Sequence, residues 1–159
     1  MTPDFNQDTA EARLAAMGLT MPPPPQPVAK YQPHMTAGSL VVTSGVLPMQ
    51  EGRVITGRLG ESMTVEAGVA AARQAALSAL SSLAAASGGL QAIASLVSLT
   101  VYVRCAPDFA RQPEIADGAS ELLLQVLGSA GQHARVAVGV AELPLEACLE
   151  VQLMGVRRT

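Results

Sequence analysis

Arg135 and Glu150 are the two side chains whose setting demands a chemical explanation. They lie in His133-Ala134-Arg135-Val136-Ala137-Val138-Gly139-Val140 and in Cys148-Leu149-Glu150-Val151-Gln152-Leu153, joined by a turn that contains Pro144. Runs this rich in Val and Leu belong to strands that bury at least one face. A full charge in or beside such a strand is costly unless something pairs with it. Either the two form an intramolecular bridge, or they sit on a solvated sheet face, or they await a charged ligand. The ligand reading has a definite chemistry. A guanidinium offers a planar fork that matches a carboxylate, and a glutamate can position a water and take its proton.

The remaining candidates carry less. Tyr31 stands where the folded unit begins and can bring a hydroxyl to a pocket. Ser44-Gly45 lacks the context of a nucleophile elbow, because Val42 rather than glycine lies two residues before the serine. His133 and His34 read as loop or surface histidines without metal partners. Asp117-Gly118 falls within a predicted helix and reads as an exposed pair, while Gly88-Gly89 stops a helix and is no phosphate loop. Cys105 and Cys148 fall in predicted strands without metal-type spacing, so buried free thiols in a reducing cytoplasm are expected.

The elements that must hold these groups follow from periodicity. Residues 1–30 form a leader: helical spacing over Thr9–Met17 with Leu14 and Met17 on one side and Gly18 as its stop, then Met21-Pro22-Pro23-Pro24-Pro25-Gln26-Pro27, which must run extended. The folded unit, 31–159, opens with a strand at Leu40–Ser44 and a turn at Glu51-Gly52 before a second short strand. Thr64 caps a long helix with Glu66 in its first turn and Val65, Val69, Ala72, Ala76, Ala79, Leu80 and Leu83 on one face. Val97, Leu99, Val101 and Val103 alternate with polar residues in a half-buried strand. A second helix spans about Pro113 to Leu127, with strands at 135–140 and 147–156 closing the chain. The order ββ-α-β-α-ββ predicts an α+β domain with both helices on one face of a single sheet.

Composition narrows the function classes. The chain has 159 residues, 49% apolar, 3% aromatic and 14% charged, with a net charge of −3. One domain is expected, and its excess aliphatic surface predicts a homo-oligomer. No basic cluster exceeds Arg157-Arg158, so nucleic acid is not an expected partner. Glu66, Arg73 and Gln74 interrupt the Ala-rich stretch from Val65 to Ala86, which argues against a membrane span. Met1–Phe5 lacks the basic region and apolar core of a signal peptide.

Tyr31, Val42-Thr43-Ser44-Gly45-Val46-Leu47-Pro48, the helix from Thr64, Val101-Tyr102-Val103-Arg104 followed by Asp108-Phe109, and above all Ala134-Arg135-Val136-Ala137-Val138 with Leu143-Pro144 and Leu149-Glu150-Val151 together resemble the YjgF family. Its members are also called reactive intermediate deaminases (Rid) or endoribonuclease L-PSP. The likeness covers roughly residues 31–156, and the leader suggests a longer subgroup. The resemblance implies a chorismate-mutase-like fold and a homotrimer with clefts between subunits. It also implies hydrolysis of enamine or imine intermediates to 2-keto acids and ammonia, without cofactor or metal. Arg135 then clamps the substrate carboxylate and Glu150 positions the attacking water, with Tyr31, Ser44, Asp117 and Ala137 lining the substrate site. The chain departs from the pattern in two places. Ala137 stands where typical deaminases carry cysteine, and Asp117 falls about where they carry asparagine. These departures keep a second reading open, a non-catalytic trimeric protein that binds a 2-keto acid or similar metabolite. The endoribonuclease label finds no RNA track in so acidic and aromatic-poor a chain.

Overall fold

The computed structural model describes residues 8–159; the stretch Met1–Phe5 considered above lies outside the described residues. The elements run α1 (Ala10–Ala16), β1 (His34–Ala37), β2 (Leu40–Thr43), β3 (Met49–Gln50), β4 (Arg53–Val54), α2 (Val65–Ser87), β5 (Ile93–Arg104), α3 (Gln112–Leu127), β6 (Ala134–Val140) and β7 (Leu149–Arg157). Five strands form one sheet in the order β1-β2-β7-β5-β6, and β3-β4 make a separate two-stranded hairpin. Only β5 and β6 run parallel, joined through α3, so the sheet is mixed. The α+β expectation stands, with two additions. A four-residue strand at His34–Ala37 escapes notice because its mostly exposed residues give no alternation, and the hairpin leaves the main sheet.

One face of the sheet carries the core. Leu99, Val101 and Val103 of β5 and Leu149, Val151 and Leu153 of β7 are fully buried against α2 and α3. The alternation expected from Val97 breaks at its first member. A register shift between Leu96 and Ser98 turns Leu96 inward and leaves Val97 39% exposed. A bulge inserts one residue and so reverses the parity of everything before it.

Thr64 caps α2 by accepting a hydrogen bond from the Ala67 amide at 3.2 Å, and Gly88 ends the helix in the left-handed region at φ 99°. The helix buries more than the one face that periodicity predicts. Ser78, Ser81 and Ser82 are buried with the alanines, and the chain between Pro22 and Pro33 meets this part of α2 at Ser81 and Ser82. The Ser81 hydroxyl donates to the Pro22 carbonyl at 2.5 Å and the Ser82 hydroxyl to the Pro33 carbonyl at 3.2 Å. Proline carbonyls keep their acceptors while their nitrogens donate nothing, so small hydroxyls on the helix satisfy the strap. Thr9 caps α1, whose Ala10 and Leu14 join the core, and Arg13 Nε donates to the Val126 carbonyl at 2.8 Å.

The two helices approach closely at Gly118. A Cβ there would lie 2.2 Å from the Val69 carbonyl oxygen, so the Asp117-Gly118 pair is not the exposed one expected: Gly118 is buried in the α2–α3 contact and only Asp117 faces out. Both cysteines are free and buried, at the ends of strands rather than within them, and burial pushes the Cys148 thiol up to about 11. No helix among the described residues is long and apolar enough to cross a membrane.

Candidate functional site

Register decides where the two key charges point. On β5, Leu99 pairs with Arg135 and with Leu153, whereas Tyr102 pairs with Val138 and with Glu150. Directly paired residues share a face and odd offsets reverse it. Arg135 therefore extends to the helix side of the sheet, and Glu150 to the open side with Tyr102, Val138 and Gln152. The intramolecular Arg135–Glu150 bridge left open by the sequence is not formed. Nor do the two residues line a common cavity.

Glu150 is built into a pocket. A cavity of about 670 Å³ is lined by Val28, Tyr31, Ser44, Gly45, Leu47, Pro144, Leu145, Glu150 and Gln152. The leader's end supplies Val28 and the start of the folded unit Tyr31, so the chain leaving the proline strap forms one wall. Next to Glu150 the pairing of β2 with β7 slips. Four residues separate Val42 from Val46, while three separate their partners Met154 and Val151. The extra residue is a bulge, a device that bends a strand and re-aims side chains. At its centre a Cβ on Gly45 would lie 1.9 Å from Glu150 Oε1, so glycine alone leaves room for the carboxylate. Burial pushes the Glu150 carboxyl above the usual range, and among the described residues no hydrogen bond or neighbouring cation opposes that shift.

The Ser44 hydroxyl is committed to structure, donating to the Gln32 carbonyl at 2.5 Å. Gln152 Nε2 likewise donates to the Thr43 carbonyl at 3.0 Å, and Thr43 Oγ1 accepts from the Leu153 amide at 3.0 Å. Together they fasten the floor under Glu150.

Arg135 lies in a different groove, of about 510 Å³, lined with Ser120, Leu124, Gln132 and His133. Its Nη1 donates to Asp117 Oδ1 at 2.7 Å and to Ser120 Oγ at 3.2 Å. His133 is no free surface residue: its ring spans from Ser120 Oγ at 3.0 Å to the Gly131 carbonyl at 2.6 Å. The carbonyl can only accept, which places the proton on Nδ1 and makes Nε2 the acceptor for the serine hydroxyl. Ala137 follows on the same side of β6, paired with Val101. The structure brings Asp117 to Arg135 and sets Ala137 on the same side of β6, whereas sequence reasoning missed Ser120 and the role of Gly45. Spacing could have found Ser120, since it lies one helical turn from Asp117.

A third charged cluster was not foreseen. Glu142, in the turn after β6, is held by Arg104 at 2.7 Å and by Arg58, and their hydrogen bonds keep its carboxyl below the usual range. Arg58 also donates to the Ala141 carbonyl at 2.9 Å. These bonds fix the turn that leads from Arg135 to Glu150.

Comparisons with known proteins bear on the arrangement. Residues 11–156 match the family described as "YjgF/chorismate mutase-like, putative endoribonuclease". The chain is 41% identical over 145 residues to Protein TCP17 of Trypanosoma cruzi, covering 90% of this chain and 91% of that protein. Among solved structures, a "putative endoribonuclease" from Shewanella oneidensis superposes with a TM-score of 0.90 at 35% identity, over 94% of this chain and 99% of that one. TdcF from E. coli, solved with bound serine, shares the fold at a TM-score of 0.62 and 21% identity, over 85% of this chain and 94% of that one. With the sheet order, the two helices on one face and the match spanning nearly every element, this chain belongs to the YjgF/chorismate mutase-like family.

Proposed function

We propose that the protein hydrolyses small enamine or imine carboxylates to 2-keto acids and ammonia, at clefts where Arg135 of one copy meets Glu150 of another in a homotrimer. The observation that carries this reading is the placement of the two groups. Glu150 is a half-buried carboxylate without a cation among the described residues, in a pocket shaped by a glycine. Arg135 projects from the opposite face of the sheet, with every bond to the described residues leaving from Nη1. Neither group completes a site alone. The open sheet face also exposes Val97, Val136 and Val138, an apolar surface suited to association.

The chemistry is modest. The imine carbon is already electrophilic, so positioning and one proton-handling group suffice. Arg135 holds the substrate carboxylate through its unoccupied Nε and Nη2 edge. Glu150 takes a proton from water as the C–O bond forms and the C=N electron pair moves to nitrogen. From the protonated imine this gives a neutral carbinolamine. Glu150 returns the proton to its nitrogen, then takes the carbinol O–H proton as the C=O forms and the C–N bond breaks. That last proton leaves with ammonia as ammonium beside the keto acid. A raised carboxyl favours a group that must both accept and give a proton near neutral pH. Ala137 leaves this step without a thiol, and the Cys148 thiol, pushed to about 11, remains protonated at neutral pH. The two buried free thiols accord with a reducing compartment, the cytoplasm.

A second reading rests on Asp117. A carboxylate already seated on Arg135 suits a protein that binds metabolites without turning them over. One experiment separates the two: an imine generated in situ by an amino-acid oxidase, its decay followed with wild type, Arg135→Ala and Glu150→Gln. Deamination predicts faster decay that disappears in both variants. Binding alone predicts no acceleration, with ligand affinity lost only in Arg135→Ala.

A further inference from the structure

Asp117 gains little stability from being acidic. It is 54% exposed, it sits in the middle of α3, and a bridge to so exposed a partner adds little to stability. Yet it stands 2.7 Å from the one guanidinium in this groove. Its effect is to cancel the charge that would otherwise draw any small anion.

The geometry leaves the pair half used. Asp117 receives Arg135 on Oδ1, and Oδ2 has no bond from the described residues. Arg135 gives Nη1 to Asp117 and Ser120, and Nε and Nη2 direct no bond to the described residues. Ser120 cannot take up the slack, because its proton goes to His133 Nε2. Beside the two-donor edge of the groove-lining Arg135, carrying positive charge, stands the half-exposed Asp117 carboxylate, carrying negative charge. A simple monocarboxylate satisfies the first and is repelled by the second. A ligand with a carboxylate and a cationic nitrogen on adjacent carbons satisfies both.

We propose that Asp117 is a specificity-determining residue that makes the Arg135 groove select zwitterionic ligands, an α-ammonium or α-iminium carboxylate, over plain carboxylates of the same size. The inference rests on reading Arg135 as a carboxylate clamp. It sharpens that reading, since the protonated imine carries both charges, whereas the keto-acid product retains only the carboxylate. The product is then released by the same repulsion that favours its precursor.

L-alanine and L-lactate are matched probes, equal in size and carboxylate and differing in ammonium against hydroxyl. Calorimetric titration of the wild-type assembly is expected to give tighter binding of alanine. In Asp117→Asn, which keeps the oxygen facing Arg135 and removes the charge, lactate should bind about tenfold more tightly, equivalent to about 1.4 kcal/mol. Alanine should weaken several-fold in the same variant. Asp117→Ser repeats the test should asparagine disturb α3, and unchanged melting of either variant shows that α3 is intact. Arg135→Ala should lose both ligands. If the alanine-to-lactate ratio is the same in wild type and both Asp117 variants while Arg135→Ala loses both ligands, the role of Asp117 is overturned and the clamp stands. If Arg135→Ala binds both as well as wild type does, or wild type binds neither, the clamp falls and this inference with it.

Discussion

Mixing two inactive variants should restore activity if Arg135 and Glu150 act from different copies. The magnitude follows from the register. Arg135 sits opposite Leu99 and Glu150 opposite Tyr102, three residues along β5 and on the strands flanking it. Three residues at about 3.3 Å and two strand spacings of about 4.8 Å put the two backbones roughly 14 Å apart. Their side chains also leave the sheet in opposite directions, whereas reacting atoms must come within about 3–3.5 Å. A single chain therefore cannot close the site. Arg135→Ala and Glu150→Gln homo-oligomers should each be inactive. After co-refolding at equal amounts, a site works only when it draws Arg135 from a Glu150→Gln copy and Glu150 from an Arg135→Ala copy. Random assembly in a closed ring gives about one quarter of wild-type turnover. The assay is imine decay on the co-refolded sample, with the separately refolded variants as baseline. A mixture no more active than that baseline, when wild type refolded alongside regains its turnover, would refute the shared-site reasoning.

Three further outcomes can be checked directly. Gly45→Ala puts a Cβ 1.9 Å from Glu150 Oε1, so the carboxylate must retreat by roughly 1 Å; turnover should fall about 100-fold, and a stability cost of about 1 kcal/mol should vanish in the Glu150→Ala background, as chemical denaturation of the four proteins would reveal. For Glu150, burial raises the folded-state carboxyl above its unfolded value, so its stabilising contribution is present below the unfolded pKa and lost as pH rises through the folded one. On an Arg135→Ala background, which keeps a neighbouring guanidinium from offsetting the effect, Glu150→Gln should thus raise the melting temperature at pH 7, and the gain should shrink toward zero below about pH 4; a gain that grows on acidification would contradict the sign. Leu14→Ala removes a 5% exposed side chain that seats α1 in the core and should cost about 3 kcal/mol in chemical denaturation, while a loss under 1 kcal/mol would mean that the leader contributes no packing.

The long elements were legible because their signals are local. The Thr64 cap, the alanine spacing of α2 and the alternation along β5 after the bulge each depend on residues within a few positions of one another. Strand β1 was not legible, since its exposed residues acquire meaning only by pairing with β2. Ser81 and Ser82 find their hydrogen-bond partners in chain more than forty residues distant, and the inward turn of Leu96 depends on a bulge against β7.

The candidate site divides in the same way. Sequence by itself determined which residues are out of place, an arginine and a glutamate in aliphatic strands, because the cost of an unpaired charge in such a setting is a property of the residue types. It also determined that they fall fifteen residues apart across a proline turn. Only the tertiary structure decided that Arg135 pairs with Asp117, that Glu150 faces the other way into a pocket cleared by Gly45, and that the chain leaving the proline strap forms one wall of that pocket. The reason is parity and register. Which face a side chain takes depends on how distant strands align and where a bulge adds a residue, and one residue of slip reverses every direction that a local pattern can suggest.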